Sequence, residues 1–170
     1  MIGVRGEFVE SSWWIVEKEG LRRFTQALMD PDPRYWDEEF AKTTRYGEII
    51  TPPIYVSYLG KTPPYVEDPI TAGFKKNPVS DGLGDLGAAR RGALPRIPTD
   101  LVRNLNAGNE IEMRRFPSLG DRIYSQGGYY DIQERVGRDG AHMLIVTNET
   151  NYYNQRGELL CTTRQSGIRR

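Results

Sequence analysis

Apolar residues along this chain fall into two regimes. Up to about residue 60 they come in short blocks at helical spacing, and beyond about 108 they alternate with polar residues. Residues 12–17, SWWIVE, are aromatic and β-branched and predict a short strand. Residues 19–28, EGLRRFTQAL, space Leu21, Phe24, Ala27 and Leu28 as one face of a helix. Asp30-Pro31-Asp32-Pro33 stops it, because proline lacks an N–H and restricts the residue before it. DEEFAKTTRYG, from Asp37 to Gly47, predicts a short capped helix. ITPPIYVSYLG follows, with Pro52 or Pro53 suited to a first helical turn and Ile54, Val56 and Leu59 predicting burial.

Residues 61–100 hold Pro63, Pro64, Pro69, Pro78, Pro95 and Pro98 around GLGDLGAARRGA. They predict a long irregular loop with room for one short helix, either a functional lid or disordered. From residue 108 the pattern is β. NEIEMRRF alternates, FPSLGD (116–121) is a turn, and RIYSQGGYYDIQERV (122–136) is a long strand with Gly127-Gly128 marking a bulge. GRDG makes a hairpin turn. AHMLIVTNETNYYN (141–154) and ELLCTTRQSG (158–167) are the last two strands, joined by QRG. The order predicts an α+β domain: one strand, helices, a long loop, then a meander of four antiparallel strands. That bent sheet wraps the ITPPIYVSYLG helix.

Composition narrows the function. The 170 residues make one domain, 1–170. Lys+Arg and Asp+Glu are both 23, so the formal net charge is zero, which argues against a nucleic-acid partner. Cys161 and His142 are the one cysteine and the one histidine. No intrachain disulfide and no zinc site is expected from them, and a reduced, cytoplasmic compartment fits. The N-terminus carries no apolar run suited to a signal peptide, and no stretch suits a membrane span.

The stretch MDPDPRYWDEEF (29–40) has the look of a catalytic loop, with Asp30, Asp32 and Asp37 around two prolines and two aromatics. Together with its flanks, RRFTQALMDPDPRYWDEEFAKTTRYGEIITPP, and with LNAG, FPSLGD, DIQERVGRDG and NQRGELL later, it resembles the N-terminal domain type of the MaoC-like dehydratases. That resemblance covers most of the chain but not 61–100. It implies the hotdog fold, a bent antiparallel sheet around one long buried helix. It also implies (R)-specific enoyl-thioester hydration, or the reverse dehydration, of acyl groups carried on coenzyme A or acyl carrier protein, with no other cofactor.

Catalytic members of such a family carry an Asp-x-Asn-Pro-aliphatic-His motif whose Asp and His hold one water for general acid–base work. A second stretch ends in His-Gly, where a glycine N–H polarises the thioester carbonyl. Here Asp30 stands at the Asp and Pro33 at the Pro, while Asp32 replaces Asn, Arg34 the aliphatic residue and Tyr35 the His. In the second stretch Tyr46, Gly47, Ile50 and Thr51 fit, and Pro52-Pro53 replaces His-Gly. A phenol titrating near pH ~10 is a poor base, and Pro53 has no N–H to donate.

Asp30 and Tyr35 are therefore the candidate catalytic residues of a degenerate motif. The first orients water or caps a turn, and the second meets a ligand or packs. Tyr46, Gly47, Ile49, Pro53, Tyr55, Asn106 and Gly108 are candidate substrate contacts, each with a purely structural alternative. Arg90, Arg91, Arg96 and Arg103 either meet coenzyme A phosphates or are solvated. The resemblance implies a partner: a separate hotdog subunit with an intact Asp/His motif, or a second copy in a homodimer. Three other readings stay open: a self-sufficient hydratase using Asp30, a non-enzymatic acyl-thioester binder, and a thioesterase. The last is disfavoured because ITPPIYVSYLG has no carboxylate.

Overall fold

The computed structural model describes residues 1–59, 65–79, 94–101, 103–138 and 140–170, with backbone alone for 12–14. Its strands are β1 (Arg5–Ile15), β2 (Asn104–Met113), β3 (Arg122–Val136), β4 (His142–Tyr153) and β5 (Leu159–Arg169). Its helices are α1 (Lys18–Leu28), α2 (Glu38–Thr43), α3 (Tyr55–Tyr58) and α4 (Pro69–Lys76), with a 3-10 turn at Pro33–Tyr35. One antiparallel sheet holds the strands in the order β1-β3-β4-β5-β2.

Only β3, β4 and β5 form a meander, so the expected four-strand meander is corrected. β2 crosses to the far edge and pairs with β5, from Asn104 opposite Arg169 to Met113 opposite Cys161. The reason lies in residues 114–121, which act as a crossover rather than a hairpin. The Arg114 and Arg115 N–H groups both donate to the Leu160 carbonyl, at 2.8 and 2.9 Å, and Ser118 then bridges to Ile50. The predicted glycine bulge sits beside a real one: β1 slips register between Arg5 and Phe8, opposite Gly127.

The second correction concerns the expected long buried helix. Among the described residues it is one turn, α3. Pro52 and Pro53 hold its start back to the cap at Ile54, and Leu59 caps its end. Residues 60–64 lie outside the described residues. Even so, α3 is at the centre of the fold. Tyr55, Val56 and Leu59 join Val16, just after β1, Leu21 of α1, and Ile123, Leu160 and Cys161 from the sheet, in one apolar cluster. A second cluster at the other end of the same face packs Ile97 against Tyr129 and Val146. Part of the predicted loop thus returns to the sheet, where the Tyr129 hydroxyl donates to the Pro95 carbonyl at 2.8 Å. Another part forms α4, capped by Asp68. Residues 80–93 lie outside the described residues.

The opposite face of the sheet carries a charged row in strict register. Arg5, Gly128, Glu149, Arg164 and Glu110 are successive cross-strand partners over all five strands. Glu149 accepts from Arg5 at 2.6 Å and from Arg164 at 3.0 Å. Arg5 reaches it by lying over Gly128, where an added Cβ would stand 2.6 Å from Arg5 Cδ. Any larger residue at 128 displaces that arginine. Among the described residues no helix is long and apolar enough to cross a membrane.

Candidate active site

The loop of residues 29–37 is built by turn chemistry. α1 ends with Met29 in the left-handed region, at φ 54°. The Asp30 N–H then donates to the Thr25 carbonyl, and the Asp30 carboxylate accepts from the Asp32 N–H at 3.1 Å. Asp32 caps the next turn, accepting the Arg34 N–H at 3.0 Å and gripping the Arg34 guanidinium. Asp37 caps α2 by accepting the Phe40 N–H at 3.0 Å. Each of the three aspartates thus has a structural task of the kind aspartate performs beside proline and at helix starts.

Electrostatics moves Asp32 and Tyr35 away from base chemistry. The hydrogen bonds from Arg34 hold the Asp32 carboxyl below the usual range. Burial of Tyr35, then the nearby Asp32 and Asp30 charges, pushes its phenol above its ordinary value. At neutral pH a phenol so placed keeps its proton and cannot accept another. Asn fills Asp30's turn role as well as Asp does. Asp30→Asn is therefore expected to leave the unfolding midpoint unchanged and any hydration rate that the chain supports within about twofold of the wild type. Asp30→Ala costs about 1 kcal/mol of stability. Melting curves and turnover of both variants check this. A thousandfold loss in Asp30→Asn alone would make Asp30 a catalytic group instead.

The second stretch lies against the first. The Ile50 N–H donates to the Arg34 carbonyl at 3.2 Å. Tyr46 is half-buried, edge-on to Phe116 at 5.4 Å, with the Arg45 guanidinium 4.8 Å over its ring. Gly47 is exposed at φ 70°, and Ile49 is buried. Pro53 is half-buried beside Pro52, and neither carries a donor. Tyr55 is 1% exposed and turns towards α1: a Cβ built on Gly20 would stand 3.1 Å from its hydroxyl.

Asn106 and Gly108 are not brought to this loop. They lie on the exposed edge strand β2, paired with Gly167 and Ser166. They are about 17–24 Å along the strand from Met113, which packs on the first cluster, at ~3.4 Å per residue. His142 is also remote, on an exposed hairpin 2.9 Å from Glu134. Cys161 is buried, and burial pushes its thiol up to about 12. Arg96 lines an open depression with Pro98, Thr99 and Asp100, while Arg90 and Arg91 lie outside the described residues. Among the described residues no cluster of His, Cys, Asp and Glu is set to hold a metal.

The structure adds residues the sequence reading passed over. A cleft of about 300 Å³ opens between the first turns of α1 and the degenerate loop, lined by Lys18, Glu19, Arg22, Tyr35 and Trp36. Trp36 is 50% exposed. An indole next to a motif residue, matched to the polar face of the preceding helix, was the signal available. It needed the packing of α1 on the loop to be read.

A five-stranded antiparallel sheet with α1, α2 and α3 packed on one face, and the two motif stretches meeting beside α3, fit the hotdog class of the MaoC-like dehydratases. Residues 3–163 match the model of the FAS1-like, dehydratase domain region, and the chain belongs to that family. A UPF0336 protein of Saccharopolyspora erythraea is 24% identical over 164 residues, covering 96% of this chain and 86% of that protein. The C-terminally truncated HadBC (3R-hydroxyacyl-ACP dehydratase) complex of Mycobacterium tuberculosis matches with a TM-score of 0.60 at 18% identity, covering 98% of this chain and 96% of that one. The ChsH1-ChsH2 complex of the same organism matches with a TM-score of 0.68 at 12% identity, covering 97% and 83%. These structural likenesses show the fold.

Proposed function

We propose that this chain is the pocket-forming, non-reacting half of an enoyl-thioester hydratase, working with a separate hotdog subunit that brings the Asp and His. Hydration puts a proton on Cα and hydroxide on Cβ of the enoyl thioester, and dehydration reverses this. Both need a base that is free at neutral pH and a donor to the thioester carbonyl. The observation that carries the reading is the state of the two stretches: a buried, protonated Tyr35 at the base position, and two prolines at the donor position.

Two features support a partner. Among the described residues β1 and β2 each pair on one side only, leaving open edges of the kind that dock a second sheet. The HadBC and ChsH1-ChsH2 matches are themselves named as complexes. The substrate carrier in this reading is coenzyme A or acyl carrier protein, and no other cofactor takes part.

The test is loss of enoyl absorbance with an enoyl-coenzyme A substrate. The chain alone, and then mixed with a His-bearing hotdog protein, is assayed. Turnover is expected only in the mixture. Full activity of the chain alone overturns the proposal in favour of a self-sufficient hydratase. Thioester binding without turnover in either case leaves a binding protein.

A further inference from the structure

The face of the sheet that lies under the helices is not apolar throughout. Alternation puts Ile123, Ser125, Gly127 and Tyr129 of β3 on it, with every second residue of the paired strands. At one end the first apolar cluster takes Ile123, Cys161, Tyr152 and Met113. At the other the second takes Tyr129, Val146 and Ile132. Two polar-rich rows cross the sheet between them in register: Gly127–Thr150–Thr163–Ile111, and Tyr129–Asn148–Gln165–Asn109.

Ser125, Thr150, Thr163 and Asn148 are half-buried there, and their side chains make no hydrogen bond among the described residues. The contrast with the outer face is sharp. There Thr147 pairs with Ser166 at 2.9 Å, and Thr162 with Asn151 at 2.8 Å, across neighbouring strands. Hydroxyls in the same sheet thus find partners on the outside and lack them on the inside. On the inside their polar atoms reach the surface, since the buried side-chain atoms without a partner among the described residues are Ser11 Oγ and Thr51 Oγ1, so the strip is open for a ligand to meet. There is also room: a Cβ added at Gly127 would meet only Thr150 Oγ1, at 3.9 Å, among the described residues.

We propose that Ser125, Thr150, Thr163 and Asn148 form a binding strip for an acyl group that bears uncharged oxygen functions, hydroxyl or keto, along its chain. The proposal rests on the hydratase-subunit reading and names its substrate class. A plain hydrocarbon chain leaves these groups unmet. A carboxylate finds no cation, because neither row carries a charged side chain. Threonine and serine hydroxyls both donate and accept, so they serve a hydroxyl or a keto oxygen equally. The Thr150 and Thr163 sites, on adjacent strands, are about 5 Å apart, within reach of one extended chain.

The test is calorimetric binding of octanoyl-coenzyme A and of a hydroxyoctanoyl-coenzyme A with its hydroxyl mid-chain. The full chain is used, with and without its hotdog partner. The wild type is expected to prefer the hydroxylated thioester about tenfold. The double variant T150V/T163V keeps shape and strand propensity, and is expected to prefer the plain chain. T163S keeps the hydroxyl and is expected to keep the wild-type preference, which separates a lost hydroxyl from a damaged sheet. Equal binding of the two thioesters, unchanged in the double variant, overturns the strip and leaves the subunit reading standing. If no thioester binds with or without the partner, both fall.

Discussion

Glu149→Ala is expected to lower the unfolding midpoint by about 5–10 °C, from a loss of ~2–3 kcal/mol in a domain of this size. The Glu149 side chain is 8% exposed, in the middle strand, between two arginines at 2.6 and 3.0 Å. Removing one member of a buried ion pair leaves its partners facing each other without compensation. The loss falls short of the largest such effects because Arg5 is 40% exposed and recovers water. Arg164 keeps its place over the Tyr130 ring, at 4.6 Å, and near Glu110 at 3.6 Å. The variant is expected to loosen β1 first, since Arg5 ties that edge strand to the sheet centre.

The same residue makes stability depend on pH. Burial alone raises the Glu149 carboxyl, but the hydrogen bonds from Arg5 and Arg164 outweigh it and set the folded value below the ordinary one. A depressed folded value means stabilisation that is complete above the unfolded carboxylate value, near ~4.3. It is lost as pH falls through the lower folded value. Melting curves between about pH 3 and 7 are expected to show a steeper acid decline for the wild type than for Glu149→Gln. Parallel curves would mean that the row contributes nothing through charge.

That row was invisible in the sequence, for a reason that applies to much of this fold. Alternation says which face a residue takes, not which strand stands beside it. The extents of β3 and α1, the cap at Asp37 and the turn role open to Asp30 were legible, because periodicity and turn chemistry are local. The position of β2 was not. It joins β5, about fifty residues on in the chain, and the nearest local reading placed it next to β3. Arg5, Glu149 and Arg164 become neighbours only once three registers are known.

The candidate site divides in the same way. Asp30, Asp32 and Tyr35 were found by motif, and the departures from the motif at Tyr35, Pro52 and Pro53 are visible in the sequence alone. The cleft with Trp36 needed α1 docked on the loop. Asn106 and Gly108 were grouped with the site by motif order, whereas the strand carries them to an edge that another chain is free to approach.

Tyr55→Ala is expected to cost about 3–5 kcal/mol, the range for emptying an aromatic site in a packed core. Its ring is edge-on to Phe24 at 5.1 Å and stacked near Tyr58 at 5.8 Å, within the cluster that joins α1, α3 and the sheet. Burial, followed by the Tyr58 and Glu17 charges, pushes the phenol up to about 12, so it stays neutral throughout the working range. A side chain held this way is a support for the pocket rather than a wall of it. In the proposed hydratase, activity is thus expected to fall in Tyr55→Ala with the folded fraction, at an unchanged KM. Tyr55→Phe keeps the ring and is expected to retain both the melting point and the KM. If Tyr55→Phe instead raises KM at an unchanged melting point, the hydroxyl touches the thioester. α1 must then move away from α3 when substrate binds, because in this conformation the hydroxyl faces Gly20.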